Sequence, residues 1–445
     1  MENVEELIIS KKLIKRNETI GVAVSGGMDS MALLDCLYKL QDKLEFEIVA
    51  ITVDHCLRDA SASDVFFVMN YCKERGIRAY KFKVDVKKLA LENNKSLETM
   101  AREARYGVFK SLIQKGIVDK VALAHHMEDQ AETVLLHLLR GAGINGASAM
   151  DYISEDGDYI RPMLKTSKEE IKRYINFYDI PYVQDETNFE SEFSRNYLRN
   201  EVMPLILKKW PNAVAALNNF AKICKEDNEY INSQVFEDSI FVENKKTVKI
   251  PANYINTSPA LSSRLIFKAL QKIGAVKDIE RKHIDLIRAL AIGGHNSSKL
   301  KLPMGISALK EYDFLTITNE QKEKKTASWE FKSGSFVAEG YGKVVVKKVK
   351  ECNFEGENLF IDAKNLPSGC EWRYRKDGDV ITKFGGGTQK LKTYLSQKKI
   401  PLRLRDDIPV LAYLNEIYVV AGIGISEKVK VDGASNNIYC ISVEK

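Results

Sequence analysis

Two short stretches carry residue types that can do chemistry. The first is Ser25-Gly26-Gly27-Met28-Asp29-Ser30, set between the apolar run Ile20–Val24 and Met31-Ala32-Leu33-Leu34. A β-branched run, two glycines and then good helix formers read as strand, loop and helix. Glycines let backbone N–H groups approach an anion closely. The helix that follows points its partly positive end at the same spot. The loop should therefore hold phosphate. It lacks the lysine of the Gly-x-x-x-x-Gly-Lys-Ser/Thr loop and the spacing of Gly-x-Gly-x-x-Gly. The second stretch is His125-His126-Met127-Glu128-Asp129-Gln130-Ala131-Glu132-Thr133. If the helix begins early enough to include His125, then His125, Asp129 and Glu132 share one face, opposite the apolar Val134, Leu135 and Leu138. A histidine with two carboxylates can bind an amine, or hold Mg²⁺ and position a base. The ordinary alternative is a solvated helix start, where the dipole favours Asp and Glu.

The elements that must position these residues follow from the pattern. Strands are expected at Ile20–Val24, Glu47–Val53, Arg78–Val84 and Lys120–Ala124. Helices are expected at Met31–Leu40, Ser61–Arg75, after the Ser96 cap, and at Met127–Leu139. Strands alternating with helices make a parallel sheet covered on both faces. Ligands of such sheets bind at the carboxyl ends of the strands, where both stretches fall. Glycines 141, 143 and 146 break the fourth helix into a loop expected to be mobile. Ser167-x-x-Glu170 is a capping box opening a helix over Lys168–Phe177. Pro181–Gln184 reads as extended. A long helix should run from Pro211 to about Phe236, and short strands mix with a helix over 245–318. Lys322–Thr326 reads as a polar link before β-patterned runs such as Lys343–Val349. The fold class is α/β: a nucleotide-binding domain over 1–210, a mostly helical middle domain over 211–325 and a strand-rich α+β domain over 326–445.

Composition sets the frame. The 445 residues are 44% apolar, enough for real cores, with a mild net charge of +6. Seven scattered cysteines form no Cys-x-x-Cys, which argues against a zinc ribbon or cysteine-held cluster. They read as reduced thiols of a cytoplasmic protein. The acidic N-terminus lacks a signal-peptide core, and no apolar run reaches membrane-span length, so no membrane partner is expected.

Ser-Gly-Gly-x-Asp-Ser after a strand resembles the phosphate loop of the ATP pyrophosphatases, which cleave ATP between the α and β phosphates. That resemblance implies that Ser25, Gly26, Gly27, Met28, Asp29 and Ser30 cradle ATP, with Asp29 meeting Mg²⁺. Further stretches narrow it. Val53-Asp54-His55-x-Leu57-Arg58, Arg102-x-x-Arg105-Tyr106, His125-His126-x-x-Asp129-x-x-Glu132-Thr133, Asp185-x-Thr187-Asn188 and Arg195-Asn196-x-x-Arg199 together resemble the bacterial tRNA(Ile)-lysidine synthases. So do Arg375-x-Asp377-Gly378-Asp379, Lys390-Leu391-Lys392, Ile400-Pro401 and Arg403-x-x-Arg405 near the C-terminus. The middle, roughly 212–320, adds little.

The resemblance implies an enzyme that adenylates O2 of cytidine at the first anticodon position of a minor isoleucine tRNA, anticodon CAU. Free L-lysine then attacks C2 through its ε-amine and displaces AMP. Asp29, His125, Asp129, Glu132 and Arg105 would be catalytic. Val53 and Arg102 would join the loop in binding nucleotide. Arg195, Arg199, Arg375, Lys390, Lys392, Arg403 and Arg405 would bind tRNA; a homodimer is left open. Independently of the resemblance, residues 370–405 hold ten basic side chains against three acidic ones, with Phe384 and Tyr394 interleaved. Such clustering favours an RNA surface over a merely solvated face. The rivals are a tRNA 2-thiolation enzyme of the same class, for which Cys56 is the one nearby thiol, and a non-catalytic tRNA-binding protein.

Overall fold

The computed structural model describes residues 2–56, 61–183, 194–320, 325–354 and 356–444. Leu57, Arg58, Asp185, Thr187, Asn188 and most of the link at 322–326 lie outside them. The chain forms two compact units, Met1–Tyr230 and Ile231–Lys445.

The first unit runs α1 (Glu2–Ser10), β1 (Thr19–Ala23), α2 (Met28–Leu44), β2 (Glu47–Asp54), α3 (Ser61–Glu74), β3 (Arg78–Lys83), α4 (Val86–Asn93), α5 (Leu97–Gln114), β4 (Lys120–Ala122), α6 (Met127–Leu139), α7 (Ile144–Ala147), β5 (Tyr159–Ile160), α8 (Lys168–Phe177) and α9 (Ser194–Tyr197). A π-turn over Leu198–Val202 leads to α10 (Met203–Lys209) and α11 (Ala213–Ser233). The sheet order is β3-β2-β1-β4-β5, all parallel. The parallel sheet expected from the alternation is there, with a short fifth strand added.

Alternation along the strands makes both faces apolar. Ile48 and Ala50 join Ile20, Val22 and residues of α1, α2, α3 and α8 in one core. Val49 and Ile51 face the other way, with Val121, Leu123, Phe109 and Leu112. Burying one such side chain is worth roughly 1.5–3 kcal/mol. Gly21 on β1 admits the neighbouring strand: a Cβ there would lie 2.6 Å from Ile51 Cδ1.

Strand order reverses between β1 and β4. In open α/β sheets that switch point opens the ligand crevice at the strands' carboxyl ends. The phosphate loop follows β1 and the His125–Glu132 stretch follows β4, one on each side of it.

The second unit contains two strand-rich parts. Strands 241–244, 247–251, 299–301, 307–311 and 314–318 make an antiparallel sheet. Helices Pro259–Lys272 and Arg281–Gly293 cover it through Ile266, Leu270 and Ile287. The middle of the chain thus has its own core, although the 211–325 boundaries cut α11 from the first unit. The C-terminal part stacks a four-stranded sheet against a seven-stranded one around Trp372, Val344, Ile361 and Leu411. Helix Leu391–Gln397 packs Leu391 and Leu395 on Ile381, Val410 and Ile417.

Candidate active site at the sheet switch point

The loop after β1 is held by its own serines. Ser30 Oγ donates to the Gly27 carbonyl at 2.9 Å and accepts from the Ser25 amide at 3.2 Å. Gly26 sits at φ +90°, a left-handed conformation that a side chain would strain. Gly27 caps α2 without a side chain, so no side-chain cap covers the first-turn amides. Those amides and the helix dipole form an anion cradle. Asp29 stands in that first turn. Lys168 Nζ donates to its two oxygens at 2.5 and 2.6 Å, and His126 Nε2 lies 3.8 Å from Oδ2.

Across the switch point, His126 caps α6. Its amide donates to Asp129 Oδ2 at 3.1 Å, and its Nδ1 pairs with Glu128 at 2.9 Å. Asp129 and Glu132 lie on the inward face, 8% and 3% exposed. Arg199 donates to Asp129 Oδ1 at 2.7 Å and to Glu132 at 2.7 and 2.8 Å. Arg195 donates to Glu132 at 3.2 Å and to the Asp129 carbonyl at 3.1 Å. Burial works to raise the Asp129 carboxyl, but His126, Arg195, His125 and Arg199 hold it below the usual carboxylate range. An acid so held is a good partner for a cation and a poor acceptor of a proton.

The two histidines are driven apart. Burial, then Arg161, Arg195 and Arg105, outweigh Asp129 and push His125 down to about 3. At His126 burial is overcome by Glu128, Asp129 and Asp29, which raise it. His125 is therefore a neutral ring at neutral pH.

Beside His125 is a group of buried polar atoms that have no hydrogen-bond partner among the described residues: His55 Nδ1, His125 Nδ1, Arg105 Nε and Arg161 Nε. Arg105 depresses His55, and Arg102 in turn depresses Arg105, each behind burial itself. Arg102 and Arg105 project from α5 beside the Tyr106 ring. Buried polar groups are normally paired, so two guanidiniums with open donors mark a place for an anion such as a phosphate or carboxylate. Val53, on β2, is half-buried.

Ser25–Ser30, His125, Asp129, Glu132, Arg102 and Arg105 all stand on the described carboxyl-edge elements. Lys168, Glu128 and Arg161 join them unforeseen. Lys168 lies inside the Ser167–Glu170 capping box, which reads only as a helix start. Arg161 follows a strand of two residues, too short to show a period. Arg195 and Arg199, expected on tRNA, are instead committed to Asp129 and Glu132. Among the described residues no group of three or more His, Cys, Asp or Glu could hold a metal ion. Cys56 stands just after β2, and its thiol is raised, chiefly by desolvation and Asp54, away from the thiolate that sulfur transfer needs.

The expected tRNA residues of the second unit divide. Arg405 is buried and donates to the Ile400 and Lys392 carbonyls at 2.9 and 3.3 Å. Arg403 joins Glu243 at 2.6 Å and Glu311 at 3.0 Å. Arg375 meets Asp406 at 2.5 Å. These three hold the unit together. Lys390 and Lys392 are exposed, as are Lys376, Lys383, Lys398, Lys399 and Phe384. A cleft of about 1020 Å³ in this unit is lined by none of the nucleotide motifs.

The PP-loop domain family matches residues 2–206, and the TilS substrate C-terminal domain matches residues 370–441. A tRNA(Ile)-lysidine synthase of Clostridium tetani is 34% identical over 97% of this chain and 96% of its own length. One from Clostridium perfringens is 33% identical over 99% and 98%. A crystal structure of a TILS C-terminal domain aligns with 27% of this chain and 99% of its own, at 21% identity and a TM-score of 0.25. With relatives of this similarity running its whole length, the chain belongs to the tRNA(Ile)-lysidine synthase family.

Proposed function

We propose that the chain is an ATP-dependent carbon–nitrogen ligase that converts cytidine to lysidine at the first anticodon position of the CAU isoleucine tRNA. One observation carries the reading: the phosphate loop and the Asp129–Glu132 pair flank the sheet's switch point, with the buried Nε groups of Arg105 and Arg161, partnerless among the described residues, beside His125. Cytosine O2 attacks the α-phosphorus and pyrophosphate leaves. The lysine ε-nitrogen then attacks C2, and AMP leaves with the former O2.

Each side chain has a task in this scheme. The loop amides and Ser25 and Ser30 hold the β and γ phosphates. Asp29 already carries a cationic partner, which fits a carboxylate suited to Mg²⁺; such sites use one or two carboxylates and substrate phosphates. Bound there, Mg²⁺ would supply positive charge at the phosphates. Arg102, Arg105 and Arg161 receive the α-phosphate or the lysine carboxylate. Asp129 and Glu132 receive the ammonium of lysine. Arg195 and Arg199 donate to both carboxylates, so the pair receives the amine as a charge partner. The ammonium gives its proton to solvent before the nitrogen attacks C2. The exposed lysines of 376–399, with Phe384 on a glycine-tipped hairpin, supply sequence-blind phosphate contacts to tRNA.

The test is pyrophosphate release from ATP with an isoleucine tRNA transcript and each amino acid in turn. Pyrophosphate release should need the transcript, and AMP release should need lysine alone among the amino acids. Release that ignores the transcript would overturn the reading.

A further inference from the structure

The phosphate loop of this chain has no lysine of its own, yet the fold brings one to it. Lys168, 139 positions beyond Asp29, places its ammonium on both Asp29 oxygens at 2.5 and 2.6 Å. Asp29 lies in the first turn of α2, directly after the loop, so the ammonium stands at the mouth of the anion cradle. The root of the side chain is fixed. The Lys168 amide donates to Glu128 at 3.0 and 3.1 Å, and Ser167 and Glu170 cap the helix reciprocally. Ile171 and Ile175 anchor α8 in the core. The tip is held by Asp29, on a side chain that is 35% exposed and has a flexible four-carbon stem.

We propose that Lys168 is a further catalytic residue, which neutralises the departing pyrophosphate. The inference rests on the reading that the loop holds the β and γ phosphates. A divalent cation held by Asp29 would compete with the Lys168 ammonium for the same two oxygens. The phosphate oxygens cradled in the adjoining loop would then be the anions within the ammonium's swing. A lysine–carboxylate pair about one-third exposed is modest in worth, whereas a lysine on a multiply charged phosphate is a strong charge-assisted contact. When cytosine O2 attacks the α-phosphorus, the bond to the α–β bridging oxygen breaks and its electron pair stays on pyrophosphate. Lys168 meets that growing charge and gives up no proton. It thus does from α8 what a loop lysine does in Gly-x-x-x-x-Gly-Lys-Ser/Thr sites.

The probe is pyrophosphate with Mg²⁺, titrated calorimetrically into the full chain, its Lys168→Met variant and its Lys168→Arg variant. Pyrophosphate release with ATP and tRNA is followed in parallel. Lys168→Met should lose roughly 10–100-fold in pyrophosphate affinity, the worth of one charge-assisted contact. Lys168→Arg should keep most of it. Lys168→Gln replaces the methionine variant should that one not fold. Equal affinity in all variants would overturn the proposal. An equal loss in Lys168→Arg would also overturn it, by assigning the effect to packing. Wild type that binds pyrophosphate but releases none from ATP would instead sink the proposed function, while the binding comparison still decides the role of Lys168.

Discussion

At His125, burial and the guanidiniums of Arg161, Arg195 and Arg105 outweigh Asp129, while next door Glu128, Asp129 and Asp29 overcome burial at His126. The signs of the two linkages are opposite. Below about 6.5 the unfolded chain protonates His125, and the folded chain refuses that proton until about 3. His125 therefore withdraws stability as pH falls through that window. His126 contributes stability below its unfolded value and loses it as pH rises through its raised folded value. An NMR titration of the imidazole Cε1 protons, between about pH 8 and about pH 5, should show no titration of the His125 ring. Replacement His125→Gln should remove that signal, and a normal titration of His125 would contradict the geometry. The second residue-scale prediction concerns lysine. Asp129→Asn should raise the lysine concentration needed for half-maximal rate by about tenfold, as expected for losing one charged contact. Adenylated tRNA should still form without lysine. Failed adenylation with a normal lysine chase would assign Asp129 to ATP instead.

The strand–loop–helix around Gly26 shows what an element adds to its residues. With φ at +90°, Gly26→Ala should cost about 1–2 kcal/mol in strain. Most of that falls on the loop, because the nearest atoms to a new Cβ are at ordinary contact distance, 3.5 Å and beyond. ATP affinity should drop at least several-fold with little change in melting temperature; unchanged affinity would remove the loop from nucleotide binding. Most of this unit was legible beforehand. Long periodic segments such as Met127–Leu139 and Lys168–Phe177 stand where their caps put them. What the pattern hid is short or lacks a period: β5 of two residues, α4, and the π-turn bearing Arg199. Pairings over long separations were hidden too. Nothing in Arg195-Asn196-x-x-Arg199 announces that its cations meet Asp129 and Glu132, because an exposed basic helix and a half-buried ion-pair cluster look alike in one dimension. Lys168 escaped notice for the same reason.

Across the whole molecule, charge along the sequence does not say which cations of the basic segment are spent inside. Arg373 is 4% exposed and makes two bonds to Asp379, at 2.8 and 3.0 Å. Removing it by Arg373→Ala leaves a buried carboxylate without its cation, held only by the Lys376 amide, and should cost about 3–5 kcal/mol. Denaturant unfolding of the second unit reads this, and a cost near zero would contradict the burial. Lys392 is exposed and should behave in the opposite way. Lys392→Ala should leave stability alone and lower the slope of log K for tRNA against log salt by about one unit, equally for cognate and non-cognate tRNA. An unchanged slope would take Lys392 off the RNA. The first variant tests which cations are spent inside and the second where the molecule meets tRNA, whereas the central claim concerns what it does there. The direct measurement is to incubate a transcript of the isoleucine tRNA with ATP, Mg²⁺ and L-lysine, digest it to nucleosides and determine their masses. The account predicts one cytidine, at the first anticodon position, heavier by a lysine less one water, with one AMP and one pyrophosphate formed per modified transcript. An unmodified cytidine beside continuing ATP cleavage, or a sulfur in place of its O2, would contradict it.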